Sequence, residues 1–243
     1  MNLTTWKNYC EQTLIVDGDV KVWRIKLNIQ DKVIAMFENL LSPDELNRAN
    51  RFMFEKDRIH FIACRGQLRI LLAQSTGMNP GKLQFGYNQY GKPYLIFPVP
   101  GPYFNVSHSN NLALVAISND FQLGIDIEFM KLNTDQLQIA RNFFSEQEYK
   151  QLINLPQNLH KEAFYNCWTR KEAYIKACGK GLSIPLNEFD VTLKPGELAK
   201  IIECRHDPSS VYNWQLDSLA VPNGYIAALA VNARSYEFRL TGS

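Results

Sequence analysis

The sequence predicts an α+β protein built of two similar halves, residues 1–118 and 119–243, packed tightly against each other. Three observations predict it. Stretches of period two, which mark strands, alternate with stretches of period 3.6, which mark helices. The run LALVAIS, Leu112 to Ser118, closes the first half as YIAALAVNA, Tyr225 to Ala233, closes the second; each half reads as strand, helical segment, then strands. No low-complexity tract or long linker separates them near Asn119, so the halves should share an interface.

Hydrophobic residues make up 46% of the chain, ample for a packed core. Lys plus Arg number 26 against 24 Asp plus Glu, and this near balance argues against a dedicated nucleic-acid binder. No apolar run reaches membrane-span length and the N-terminus lacks a signal-peptide pattern, so a cytoplasmic protein without a membrane anchor is expected. The five cysteines are odd in number and form no CxxC, which reads as reduced thiols and neither a disulfide framework nor a zinc site.

Val20 to Leu27, VKVWRIKL, alternates and should be an early strand. Ser42-Pro43-Asp44-Glu45 supplies a cap, proline at the first helical position and glutamate at the capping-box position, so a helix starts there and carries Arg48 and Arg51. A second helix is expected from about Asp57 to Gln74, with Ile59, Ile62, Ala63, Ile70 and Leu71 inward and Gly77 as its stop. His60, Arg65 and Arg69 leave it as candidate basic contacts; otherwise so arginine-rich a helix is simply solvated. LQFGYNQYGKPYL, Leu83 to Leu95, alternates around Gln89-Tyr90-Gly91 and should be a hairpin, with Lys92 beside the turn. FNVSHS, Phe104 to Ser109, and NLALVAIS, Asn111 to Ser118, read as strands separated by a polar corner carrying Ser107 and His108.

The second half opens with LGIDIE, Leu123 to Glu128. A polar connector leads to LQIARNFFSEQEYKQLINL, Leu137 to Leu155, where Ser145 to Glu148 has the capping-box spacing. A helix is expected from Leu159 to Cys178, packed through Phe164, Cys167, Trp168, Tyr174, Ile175 and Ala177 and stopped by Gly179. Phe189 to Leu193, Ala199 to Cys204, Tyr212 to Leu216 and Tyr225 to Val231 read as strands, with Lys194-Pro195-Gly196 a turn. Thr241-Gly242-Ser243 reads as a frayed end or an appended remnant.

Two stretches carry chemistry. In LGIDIE, Ile125 and Ile127 alternate with Asp126 and Glu128, so both carboxylates leave one face of a strand. In WTRKEAYIKACGKG, Trp168 to Gly181, the residues Trp168, Glu172 and Lys176 share one helix face. A D-x-E pair is ordinarily a solvated edge. Here the isoleucines and the preceding glycine indicate an interior strand, where paired carboxylates repel unless neutralised. Magnesium, small and oxygen-seeking, suits such a pair together with phosphate oxygens, and Glu172 supplies a third carboxylate. Lys176 is either the i,i+4 partner of Glu172, worth about 0.2–0.5 kcal/mol, or faces a phosphate.

FNVSHS, GIDIE, FFSEQEY and WTRKEAYIKACGKGL occur in the order and approximate spacing of the Sfp-type 4′-phosphopantetheinyl transferases, and GKP and the SPDEL…RF…KD run resemble the same group. The resemblance covers roughly Ser42 to Leu193. It implies a pseudodimer of two similar α+β halves packed around a substrate cleft that holds coenzyme A. It implies transfer of phosphopantetheine from coenzyme A to a serine of an acyl or peptidyl carrier protein, with release of 3′,5′-adenosine bisphosphate.

Residue by residue, the resemblance implies a nucleotide side in the first half and a metal and catalytic side in the second. Mg2+ ligands fall on Asp126, Glu128 and Glu172, and the phosphate-contacting lysine on Lys176. Nucleotide contacts fall on or near Arg48, Lys92, Ser107 and His108; His60 stands where these enzymes often carry arginine, with Arg65 or another cation making up the charge. Glu148 matches a glutamate proposed as general base, against its reading as a helix cap. A monomer is implied by analogy, with the carrier docked along Asn142 to Gln157, Lys150 included, and at the start of the Trp168 helix. Two alternatives stand beside this. A catalytically inactive module binding coenzyme A or carrier would lack acidic positions that are all present here. A carboxylate-pair hydrolase such as a glycosidase would need neither Lys176 nor the SHS corner.

Overall fold

The computed structural model describes residues 9–16, 20–131 and 135–232, so Ala233 and Thr241-Gly242-Ser243 lie outside the described residues. The first half runs β1 (Cys10–Val16), β2 (Val20–Lys26), α1 (Asp31–Glu38), α2 (Pro43–Ala49), α3 (Glu55–Thr76), β3 (Gln84–Tyr87), β4 (Pro93–Phe97), β5 (Tyr103–Ser109) and β6 (Leu112–Ser118). The second runs β7 (Leu123–Phe129), α4 (Gln136–Phe143), α5 (Glu146–Ile153), α6 (Gln157–Cys178), β8 (Phe189–Val191), β9 (Ile201–Cys204), α7 (Ser210–Asn213), β10 (Trp214–Ser218) and β11 (Tyr225–Asn232).

One topology is written twice. In the first half β2 pairs with β6 and β6 with β5, all antiparallel, with β1 added at the outer edge of β2. In the second, β7 pairs with β11 and β11 with β10 in the same way. Each half has an opening strand, two short helices and a 22-residue helix that ends on a left-handed glycine (Gly77 at φ 70°, Gly179 at φ 68°). A two-stranded hairpin and two further strands follow in each.

Each half has its own apolar cluster, one around Phe37, Ile62 and Leu71, the other around Phe164, Tyr174 and Phe189. A third cluster joins them: Val22, Leu114 and Ala116 meet Ile125, Ile127 and Leu229. The two isoleucines of GIDIE thus hold the halves together, each burial stabilising by about 1.5–3 kcal/mol.

Two local features place the acidic face of β7. Gly124 lies so close to α6 that a Cβ there would sit 2.2 Å from Ala173 O and 2.2 Å from Ala177 N. Glycine is what lets the helix bearing Glu172 and Lys176 lie against the strand bearing Asp126 and Glu128. Among the described residues no strand pairs with the other side of β7; side chains of β5 grip it. Asn105 Oδ1 accepts from Ile125 N at 2.8 Å, Ser107 Oγ donates to Asp126 Oδ1 at 2.8 Å, and Ser109 Oγ donates to Glu128 Oε2 at 2.7 Å. These residues recur at period two, so they share one face of β5. Ser107 and His108 therefore lie within a strand, and the expected polar corner is displaced to Asn110, which turns at φ 51°.

Elsewhere the differences are modest. Strand β1 and helix α1 are additional to the elements the sequence predicts. The Leu137–Leu155 stretch is two helices, because the Ser145 capping box starts a new one after extended Phe144. The strand expected from Tyr212 begins at Trp214, the preceding residues forming α7. Two of the three arginines of α3 are not solvated: Arg65 and Arg69 are buried, while Arg58 is partly exposed. All five cysteines are free thiols, and no helix of the described residues is long and apolar enough to cross a membrane.

Candidate active site

A cavity of about 550 Å³ opens between the halves. Arg48, Phe61, Arg65, Tyr87, Ser107 and His108 line it from the first half, and Asp126, Glu128, Trp168, Glu172 and Lys176 from the second. Strand alternation on β7 and the i, i+4, i+8 spacing on α6 bring the last five together.

Lys176 takes a partner that neither of the two sequence options named. Its ammonium pairs with Asp126 Oδ1 at 2.6 Å, across to the strand, and donates to Ser107 Oγ at 3.1 Å. The remaining carboxylate charge is poorly compensated. Burial, and next the charge of Asp126, push the Glu128 carboxyl above its ordinary value, although Ser109 and Lys176 pull it back. Burial likewise raises Glu172, with Lys176 opposing and Asp126 and Glu128 adding to the rise. Asp126 Oδ2 is buried and has no hydrogen-bond partner.

These donors suit a hard divalent cation in their chemistry: three carboxylates, with one buried oxygen left unpaired among the described residues. Their spacing is open, however. Among the described residues no group of three His, Cys, Asp or Glu side chains is gathered closely enough to hold an ion as it stands. The expected convergence is thus a shared cavity wall and not a closed cage. Like charges keep the carboxylates apart and Lys176 takes one oxygen of Asp126.

Three other candidates are elsewhere. Glu148 does not line the cavity. It is the third-position member of the α5 capping box, accepting from the N-cap Ser145 N at 3.0 Å, and its carboxylate also accepts from Val191 N at 2.8 Å and pairs with Lys171 at 2.8 Å. Both partners of that pair are fully enclosed, Glu148 at 1% and Lys171 at 0% exposure. Its partners are those of the helix-cap reading, set away from the cavity. Lys92 turns away from the cavity and donates to Leu123 O at 3.1 Å and Ala177 O at 2.9 Å, tying the first-half hairpin to the end of α6. Burial pushes its ammonium down to about 8. His60 faces Asn28 Oδ1 at 3.0 Å, outside the cavity. Burial, then the charges of Lys56 and His108, lower its imidazole against the opposing charge of Asp57, which disfavours a cationic grip there.

Arg48 and Arg65 remain as the first-half cations at the cavity wall. Arg48 is exposed, 5.4 Å over the Phe61 ring. Arg65 is buried between Glu45 and the Phe85 ring. Tyr87 and Lys171 carry no signal in the sequence, and Glu45 reads there only as a capping-box residue. The S-x-x-E box of Glu45 was visible, but nothing local showed that two arginines from the next helix would reach it.

The sequence model described as the 4′-phosphopantetheinyl transferase superfamily matches residues 122–230, and the one described as 4′-phosphopantetheinyl transferase, N-terminal, matches residues 28–120. Among curated proteins, the chain is 38% identical over 229 residues to the 4′-phosphopantetheinyl transferase HetI of Nostoc sp., covering 93% of both chains. It is 34% identical to a 4′-phosphopantetheinyl transferase of Bacillus subtilis, over 77% of this chain and 81% of that one. It is 31% identical to the 4′-phosphopantetheinyl transferase Sfp of Bacillus subtilis strain 168, over 74% of this chain and 80% of that one.

Proposed function

The chain belongs to the 4′-phosphopantetheinyl transferases, and from that premise we propose that it moves 4′-phosphopantetheine from coenzyme A to the serine of an acyl or peptidyl carrier protein, with magnesium. The observation that carries this reading is the cavity between the halves, with carboxylates and Lys176 on one wall and Arg48, Arg65 and His108 on the other.

Asp126, Glu128 and Glu172 would hold the magnesium ion, which when bound offsets the charge of the pyrophosphate. The first-half cations and His108 bind the nucleotide end. The carrier serine oxygen attacks the β-phosphorus of coenzyme A. A bond from that oxygen to phosphorus forms, the bond to the α-phosphate oxygen breaks, and 3′,5′-adenosine bisphosphate departs with the electron pair. Lys176 stabilises the charge that gathers on the leaving phosphate. The serine proton needs an acceptor inside the cavity. Glu172, which lines the cavity, fills that role in place of Glu148, which does not.

The boundary between nucleotide and metal sides falls at Ser118–Asn119, between β6 and β7, and a monomer then holds the whole site. The carrier docks beside the cavity mouth, where half-exposed Phe143 stands edge-on to Trp168 with ring centroids 6.3 Å apart. Free thiols favour a cytoplasmic setting.

The pH dependence follows from the two raised glutamates. Their folded values exceed the ordinary 4.5, so their protonated forms contribute stability that is full below that value and is lost as pH rises through the folded values. A cation that replaces those protons restores it. Magnesium should therefore raise the melting temperature more at about pH 8 than at about pH 5, and chelation should remove the gain. Equal shifts at both would contradict the carboxylate site.

The function itself is tested by incubating an apo carrier protein with the chain, coenzyme A and magnesium, then measuring its intact mass. A phosphopantetheine-sized gain is expected; coenzyme A left intact with every carrier class tried would refute it, and favour the inactive binding module.

A further inference from the structure

Each half buries the same device. In the first, Glu45 accepts from Ser42 N at 2.9 Å to close the capping box of α2, and pairs with Arg69 of α3 at 2.7 Å. Arg69 also donates to Leu83 O at 3.2 Å and lies 5.1 Å from the Phe85 ring centroid. In the second, Glu148 closes the box of α5 and pairs with Lys171 of α6; Lys171 donates to Leu186 O at 2.7 Å and lies 4.2 Å from the Phe189 ring centroid. The second half shows that one cation completes the device.

One helical turn earlier the halves differ. The residue four before Lys171 is buried Cys167, whereas the residue four before Arg69 is Arg65. Arg65 gives its Nε to Glu45 and stacks 3.9 Å from the Phe85 ring centroid. Its Nη2 donates to the Tyr87 hydroxyl at 3.4 Å, and the outer edge with Nη1, which has no partner among the described residues, is left for the cavity that Arg65 lines. Glu45 itself does not line the cavity. Two cations share one carboxylate here, so the wall keeps a net positive charge for an anion.

We propose that Glu45 is a positioning residue for the reaction: it holds Arg65 by one edge so that the free edge of the guanidinium is presented to a phosphate group of coenzyme A. The proposal rests on coenzyme A being the ligand of the cavity. A guanidinium offers its donors in a rigid planar fork, so fixing one edge fixes the direction of the other and removes rotamer freedom before the anion arrives. Burial alone would raise the Glu45 carboxyl, but Arg65 and Arg69 overcome it and hold it below the usual range, so the clamp stays charged.

The test is a double-mutant cycle read by calorimetric titration with coenzyme A, alongside melting temperatures. Glu45→Gln keeps the shape and should weaken binding by about tenfold, and Arg65→Gln by about thirtyfold, from the loss of charge-assisted hydrogen bonds. In the Arg65→Gln background, Glu45→Gln should change affinity by less than about twofold. A Glu45→Gln protein that melts lower but binds coenzyme A like wild type has lost only a structural contact, and that outcome overturns the proposal. So does a Glu45→Gln loss that persists undiminished without Arg65. If Glu45→Gln does not fold, Arg65→Lys decides: it keeps the pair with Glu45 but has no second edge, so binding should weaken by about tenfold at little change in melting. Unchanged affinity there would equally overturn it. Wild-type protein that binds no coenzyme A would instead strike at the functional reading beneath.

Discussion

Asp126→Asn should lower transfer to an apo carrier by about a thousandfold or more, the scale expected when a charge-stabilising group is removed from a low-dielectric site, and leave the fold standing. Asp126 is buried, accepts from Ser107 and Lys176 through Oδ1, and leaves Oδ2 unpaired. Asparagine fills the same volume. It loses the ion pair with Lys176 but relieves the repulsion that Asp126 exerts on Glu128 and Glu172. These changes oppose each other, so stability should shift by about 1 kcal/mol or less. Turnover has no such compensation, because the carboxylate face loses its innermost charge. Near-normal magnesium-dependent transfer by the folded variant would remove Asp126 from the site.

Glu148→Gln should have the opposite profile. The glutamate and Lys171 are an enclosed pair, and removing one charge leaves the other buried and unpaired, a cost of about 3–5 kcal/mol. That is a large part of the stability of an ordinary domain, so the variant should melt well below wild type. Turnover per folded molecule, measured at low temperature, should stay within about twofold, because Glu148 does not reach the cavity. Adding Lys171→Met should recover much of the lost stability by removing the stranded ammonium. A variant that melts normally yet transfers slowly would return Glu148 to the reaction.

The parts of this site that were legible in the sequence are those set by local periodicity. Alternation in LGIDIE put Asp126 and Glu128 on one face, and helical spacing put Trp168, Glu172 and Lys176 on another; all five line the cavity. The duplicated topology was legible as an echo of LALVAIS in YIAALAVNA, since β6 and β11 are the central strands of the two sheets. What stayed hidden are the partners that only tertiary packing chooses. Lys176 reaches Asp126 on β7 and not Glu172 on its own helix. Lys171, next to Glu172 in sequence, is turned inward onto Glu148. Lys92 finds two backbone carbonyls, at the start of β7 and near the end of α6, where a nucleotide contact was expected. The β5 clasp could have been read: Asn105, Ser107 and Ser109 alternate in FNVSHS, but the polar residues suggested a corner and masked a strand face.

The central claim is that the acidic face of β7 and α6 receives a divalent cation together with the pyrophosphate of coenzyme A. The most direct measurement is calorimetric titration of coenzyme A into wild-type and Asp126→Asn protein, with magnesium and with chelator. Wild type should bind coenzyme A at least about tenfold more tightly when magnesium is present, and Asp126→Asn should bind with the same weaker affinity in both conditions. Magnesium enhancement that survives undiminished in Asp126→Asn would contradict the account.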